Sequence, residues 1–183
     1  MGFFITNKAE MKQSDVDGKW ITKHNQLYID YDCVIYLTPR NYLSDGYTIP
    51  DWLAWIGGGK MKWDIRPSLQ HDIECQFHQE IVVNLTIEEL QRLHLLYQEI
   101  DEDGNKKILC KDIPLKYLEI RDTTFNKVNN KFKRAMEATG CIKQWRINTM
   151  RFAVNLNIGW LKSGKTKLNL DDIYELNHKT EGG

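Results

Sequence analysis

The sequence predicts an α+β fold in which N-terminal antiparallel β-strands are followed by a mainly helical C-terminal part. Three observations carry that expectation: apolar residues alternate from Leu27 to Leu37, they recur every fourth position from Leu69 to Ile81, and Thr86 with Glu89 forms a capping box. With 183 residues, 42% hydrophobic and 27% charged, the chain is long enough to bury one sizeable core. It reads as a single domain over 1–183: a strand-rich part at 1–50, a helical core at 51–78 and 122–161, and an intervening stretch at 79–121.

From Trp20 to Leu37 one set of positions is apolar (Leu27, Ile29, Tyr31, Cys33, Ile35, Leu37) and the other more polar (Tyr28, Asp30, Asp32), the period of two or three strands with one buried face. Pro39, Arg40 and Asn41 break the pattern, and Asp45-Gly46 supplies a turn. Thr48 and Pro50 then suit the start of a short helix with the body DWLAWI, which Gly57 to Gly59 end. Leu69, Ile73, Phe77 and Ile81 predict a helix over 67–81, with His71, Cys75 and His78 on one face and Asp72 about a quarter turn away. The capping box starts an amphipathic helix running to about Ile100, with Leu90, Leu93, Leu96 and Tyr97 inward. Further helices are expected over 122–139, closed by Gly140, and from Lys143 to about Trp160, closed by Gly159 or Gly164. The tail LDDIYELNHKTEGG suits one short helical turn.

The 25 Lys plus Arg balance the 25 Asp plus Glu, so no global field draws the protein to nucleic acid or to an anionic membrane. No run of about 18 apolar residues is present, and MGFFITNKAEMKQ lacks the features of a secretory signal, which points to a soluble chain with no membrane partner. Cys33, Cys75, Cys110 and Cys141 are far apart with no CxxC and read as reduced thiols. Trp52, Trp55, Trp145 and Trp160 read as core. Lys131, Lys133, Arg134, Lys143, Arg146 and Arg151 make the last helical region basic; a solvated helix face accounts for them better than a nucleic-acid contact.

The stretch IDEDGNKKILCKD, residues 100–112, invites comparison with a calcium-binding EF-hand loop through Asp101, Asp103 and Asn105. Lys106 stands where that loop needs glycine and Asp112 where it needs a bidentate Glu, so a polar turn between helices, of the hairpin-tip kind, is expected instead.

Three blocks taken in order resemble one family. LTPRNYLSDGYTIPDWLAWIGG is similar to a strand followed by Asp-Gly-x-Ser/Thr-Ile-Pro-x-Trp, RPSLQHDIECQ to the following helix with its His-Asp pair, and NNKFKRAMEATGCIKQWRINTMRFAVNLNIGW to the closing helices. Together they resemble the phage and prophage proteins grouped as the domain of unknown function 1353 family, over about two thirds of the chain. Against that pattern, residues 79–121 are an insertion, suited to a partner-binding surface or to extra scaffold, and Asn129 stands where the family usually has Asp.

Two functions follow from the resemblance and the residues. The first is a phage-encoded structural or interaction protein, a component of the head-to-tail or tail region of the virion. It would be made in the host cytoplasm, need no cofactor, and have other phage structural proteins or itself as partner. In that reading Asp45 and His71 form a buried clasp that locks the strand-to-helix corner, since neighbouring His71 and Asp72 lie about 100° apart around a helix and do not converge on one small ion. The alternative is a metal-dependent hydrolase of a peptidoglycan amide or a phosphoester. There Asp45, His71 and Asp72 would be catalytic, His71, Asp72 and His78 would ligate Zn²⁺ or Mn²⁺, and bound water would be activated.

Overall fold

A computed structural model of the chain describes residues 2–7, 9–14, 19–44, 64–140, 144–145, 147–148, 163–164 and 166–178. The Asp45 turn, the DWLAWI helix with Trp52 and Trp55, Cys141, Lys143, Arg146, Arg151 and Trp160 lie outside the described residues.

The strands are β1 (Phe3–Phe4), β2 (Met11–Gln13), β3 (Trp20–Thr22), β4 (Gln26–Ile29), β5 (Ile35–Thr38) and β6 (Leu43–Ser44); then helix α1 (Arg66–Phe77), β7 (Gln79–Val83), helix α2 (Ile87–Arg92), β8 (Leu96–Ile100), β9 (Lys106–Cys110), β10 (Leu118–Asp122), and helices α3 (Phe125–Thr139) and α4 (Leu170–His178). The main sheet has the order β1-β4-β5-β7-β10 and is antiparallel throughout. A three-stranded sheet, β2-β3-β6, and the β8-β9 hairpin flank it. The fold is therefore α+β, with antiparallel sheet in the N-terminal half and the longest described helix, α3, in the C-terminal half. Helices α1 and α2 lie between strands in the chain, and residues 79–121 supply two of the five main strands. Among the described residues no helix is long and apolar enough to cross a membrane.

Both faces of the main sheet are covered, which changes the expected alternation. Leu27, Ile35, Leu37, Ile81 and Val83 face one apolar cluster with Ile73, Leu90, Leu95 and Ile173. Tyr28, Tyr36 and Val82, from the alternate positions, meet Ala135 of α3. Tyr31 and Cys33 are exposed rather than inward, because residues 30–34 form the β4-β5 turn: Cys33 has φ 62° and its amide donates to the Asp30 carbonyl. Short side chains with positive φ at a turn fit this geometry.

Helix α1 stops earlier than its four-residue period suggests. His78 takes a left-handed conformation (φ 54°), and the chain enters β7 at Gln79, so Ile81 is a strand residue. The Thr86–Glu89 capping box forms as expected, with the Thr86 hydroxyl accepting from Glu89 N and the Glu89 carboxylate accepting from Thr86 N; such a cap contributes about 1 kcal/mol. The helix it starts ends at Arg92, not near Ile100, and His94 (φ 54°) turns the chain into the β8-β9 hairpin, where Leu96 and Tyr97 pair with Cys110 and Leu109. The residues that resembled a calcium loop are the tip of this hairpin, between strands and not helices. The Asp101 carboxylate accepts from Asp103 N (3.2 Å) and Asn105 N (2.8 Å), and Gly104 takes φ 81° to close the turn. Helix α3 begins at the Thr124 cap and ends at Gly140 with φ 64°, close to expectation, and the tail forms a nine-residue helix where one turn was expected.

Candidate functional site

Three polar clusters meet on α3, where it packs against α1 and the main sheet. The first contains His71 and Asp72, adjacent on α1. His71 is buried, its ring tilted against Phe132 with centroids 4.5 Å apart. Its Nε2 lies 3.1 Å from Asn129 Oδ1. An amide oxygen only accepts, so Nε2 carries the proton and donates. Nδ1 faces Asp72 Oδ1 at 3.9 Å, the separation of an ion pair and not of a hydrogen bond. Asp72 is fixed in turn by Ser44, whose hydroxyl donates to Oδ2 at 2.6 Å from the end of β6.

Burial disfavours the charged imidazole, but Asp72 and the Cys75 sulfur outweigh it and push the His71 pKa up to about 10. By geometry both ring nitrogens are engaged inside the protein, Nε2 on Asn129 and Nδ1 toward Asp72. Cys75 Sγ lies 3.4 Å from Nε2 and 3.8 Å from Nδ1. The sulfur is within reach of both ring nitrogens, and Nε2, the nearer, is also bound to Asn129.

The candidate residues are thus only partly gathered. His71 and Asp72 stand together, and Asn129, singled out by its departure from the family pattern, accepts from His71. Asp45 lies outside the described residues, although its neighbour Ser44 reaches the cluster. His78 has left the helical face: its left-handed backbone sends Nε2 to the Ser163 hydroxyl at 3.0 Å, and its carbonyl accepts from Thr123 N. Among the described residues no group of three or more His, Cys, Asp or Glu is arranged to hold a metal ion.

The second cluster was not read from the sequence. Lys131, expected on a solvated basic face, is only 1% exposed. Its ammonium donates to Glu74 Oε1 (2.6 Å) and Glu80 Oε2 (2.8 Å) and sits over the Tyr36 ring, 3.4 Å from the centroid. Thr38 donates to Gln70 and Gln70 to Glu74, while Lys127 donates to Glu80, so a polar chain crosses the interface from β5 to α3. Burial lifts Glu74 above the ordinary carboxylate range against the pull of Lys131. For Glu80 burial acts the same way but is outweighed by Lys131 and Lys127, which hold it low. The Glu74 Oε2 atom is buried without a hydrogen-bond partner.

The third cluster joins Arg134 to Asp30, with Nε donating at 2.8 Å and Nη2 at 2.5 Å, while the Tyr28 hydroxyl donates to the same carboxylate at 3.1 Å. Burial opposes ionisation of Asp30, and the guanidinium overcomes it to hold the pKa down. Nothing in the sequence pattern marked these charges as buried: α1 also carries Arg66, Ser68, His71, Asp72 and Gln76, so Glu74 does not stand out. Trp145, expected in the core, is 53% exposed. Compared with protein-family models, with curated proteins and with solved structures, the chain matches none.

Proposed function

We propose that the chain is a structural or interaction protein of a phage particle, as its sequence resemblance implies, and that the His71 cluster is a scaffold element and not a catalytic centre. One observation carries the reading: the buried imidazole spends both nitrogens inside the protein, Nε2 on Asn129 and Nδ1 toward Asp72. A hydrolase built on His71 would need a ring nitrogen aimed at a metal or a substrate. The scaffold role needs what is present: a β6 hydroxyl, two α1 side chains and an α3 amide closing one corner.

Two measurements test it. Mass spectrometry of purified particles should find the chain in fixed stoichiometry with known structural proteins; absence from particles made in cells that express it would overturn the assembly role. Elemental analysis of protein purified without chelator separates the scaffold from the metal-dependent hydrolase. Stoichiometric zinc or manganese, lost in a folded His71→Ala variant, would replace the proposal with the hydrolase reading.

A further inference from the structure

We propose that the outer edge of β10 is a self-association surface, pairing antiparallel with β10 of a second copy about a two-fold axis at Ile120 and joining two five-stranded sheets into one of ten strands. The proposal rests on the reading of the chain as an interaction protein and names its partner.

The ladder decides which groups face outward. Asn84 N donates to Tyr117 O and Thr123 N to His78 O, so the main-chain groups of residues 117, 119, 121 and 123 point toward β7. Those of Leu118, Ile120 and Asp122 therefore point away from the sheet, of which β10 is the edge strand among the described residues. The Leu118 amide already donates to the Leu115 carbonyl at the close of the preceding 3₁₀ turn. An antiparallel copy centred on Ile120 would form four main-chain hydrogen bonds: two between the Ile120 residues, and one from each Asp122 amide to the other copy's Leu118 carbonyl.

The side chains choose the partner and the register. Glu119 and Arg121 lie on the same face of β10, 45% and 40% exposed, and bond each other at 2.6 and 2.8 Å. In the two-fold pairing, Glu119 of each copy stands opposite Arg121 of the other. Their own main-chain groups are turned inward, so they occupy the closer-spaced, non-hydrogen-bonded positions, with Cβ atoms about 4.5–5.5 Å apart. A shift of two residues either way would set Glu119 against Glu119 or Arg121 against Arg121, and a parallel in-register pair would oppose like charges at both positions. Charged residues on an edge ordinarily discourage pairing. Here their alternation admits one arrangement, and that arrangement needs an identical strand. Among the described residues the other edge of similar length, on β8, turns the main-chain groups of Leu96, Gln98 and Ile100 outward and has no charge pattern to select a register.

The experiment is a charge swap read by sedimentation velocity at chain concentrations on the order of 100 μM, suited to a small interface. The wild type should sediment as a dimer. Glu119→Arg sets Arg against Arg, Arg121→Glu sets Glu against Glu, and each variant alone should be monomeric. Mixed one to one, these two variants should form a heterodimer, and E119R/R121E together in one chain should dimerise again. Both residues are exposed, so circular dichroism and melting temperature should be unchanged. Hydrogen exchange on the wild type supplies an independent arm, since the Ile120 and Asp122 amides should gain protection as concentration rises. A wild-type monomer at that concentration, a dimer indifferent to both single swaps, or protection that appears at Gln98 instead would overturn the proposal. So would a wild type that stays monomeric and pairs through β10 only with another protein. A monomer found in particles would leave the assembly reading standing without this edge; a charge-selected dimer absent from particles would do the reverse.

Discussion

Replacing Lys131 by Met removes the cation at the centre of the second cluster while keeping most of the side-chain volume. The wild-type ammonium touches two carboxylates at 2.6 and 2.8 Å and the face of Tyr36, and both carboxylate side chains are at most 1% exposed. Removing one partner of a buried ion pair costs about 3–5 kcal/mol, because the opposite charges stay behind without water. Lys127 can compensate Glu80, to which it already donates, but not Glu74, whose Oε2 has no hydrogen-bond partner even in the wild type. The expected loss at pH 7 is therefore about 3–5 kcal/mol, out of a total of roughly 5–15 kcal/mol for a domain. In melting temperature that is about 6–20 °C for a chain of this size. The pH dependence has a definite sign. Without the lysine Glu74, already raised by burial, loses the cation that pulled it down and rises further, so it favours folding only when protonated, and that advantage is lost as pH rises. The difference between Lys131→Met and wild type should be largest at pH 7–8 and shrink toward pH 4.5, the ordinary value of a Glu carboxyl. Urea unfolding followed by circular dichroism from pH 4.5 to 8 measures it. A loss under about 1 kcal/mol at pH 7, or one independent of pH, would refute the idea that Lys131 neutralises charge in a dry interface.

Three further outcomes are expected. His71 should stay protonated well above its unfolded value: with the folded pKa raised from 6.5 toward about 10, its contribution is complete below pH 6.5 and lost as pH rises through about 10. Imidazole NMR checks this, with Asp72→Asn lowering the midpoint; a wild-type midpoint at or below 6.5 would contradict the cationic ring. Gly164→Ala should destabilise by about 1–3 kcal/mol, because Gly164 holds φ 73° and a Cβ there would collide with the His78 ring; an unchanged melting temperature would deny that packing. Replacing Glu74, Lys131 and Glu80 together by apolar residues should cost far less than Lys131→Met alone and could raise stability, since no orphaned charge remains. A triple variant that unfolds more easily than the single one would mean that the ion cluster itself stabilises the fold.

Local signals in the sequence survived where local physics decides the outcome. The Thr86–Glu89 box and the Gly140 stop depend on neighbours within a few residues and appear as expected, and the polar turn at 101–105 forms too, though between strands where helices were expected. Misreadings arose where a period continues across a boundary set by tertiary contacts. Ile81 extends the rhythm of Leu69, Ile73 and Phe77, yet His78 takes a left-handed φ, its carbonyl bonds Thr123, and β7 begins. Leu96 and Tyr97 match a helical stripe equally well, but β9 offers them a strand partner. The alternation through Tyr31 and Cys33 crosses a turn, and Tyr28 looked outward only because α3, about a hundred residues later, was not in view. At the site, His71, Asp72 and the departure at Asn129 were legible; Glu74, Glu80, Lys131, Asp30 and Arg134 were not. A charged residue on an amphipathic helix reads as solvent-facing unless its partners are known, and these partners lie about 50 to 100 residues apart in the chain.

The spacing of the clusters along α3 explains why charges occupy this interface at all. Lys127, Lys131 and Arg134 fall at i, i+4 and i+7, one stripe of the helix, and reach Glu80, Glu74 and Asp30. Asn129, Phe132 and Met136 form a second stripe, in which Asn129 and Phe132 meet His71 and Met136 joins the Leu69 cluster on α1. An apolar helix could slide or rotate against Tyr28, Tyr36 and Val82 at little cost, since hydrophobic contact is not directional. Ion pairs are different: moving α3 by one residue would separate Lys131 from both carboxylates and Arg134 from Asp30, each buried and each then costly. On this argument the charges add little net stability and instead fix the position of α3 over the sheet and α1. That role would hold the His71–Asp72–Ser44 corner rigid, and with it the start of β7, the strand that carries β10 at its outer side.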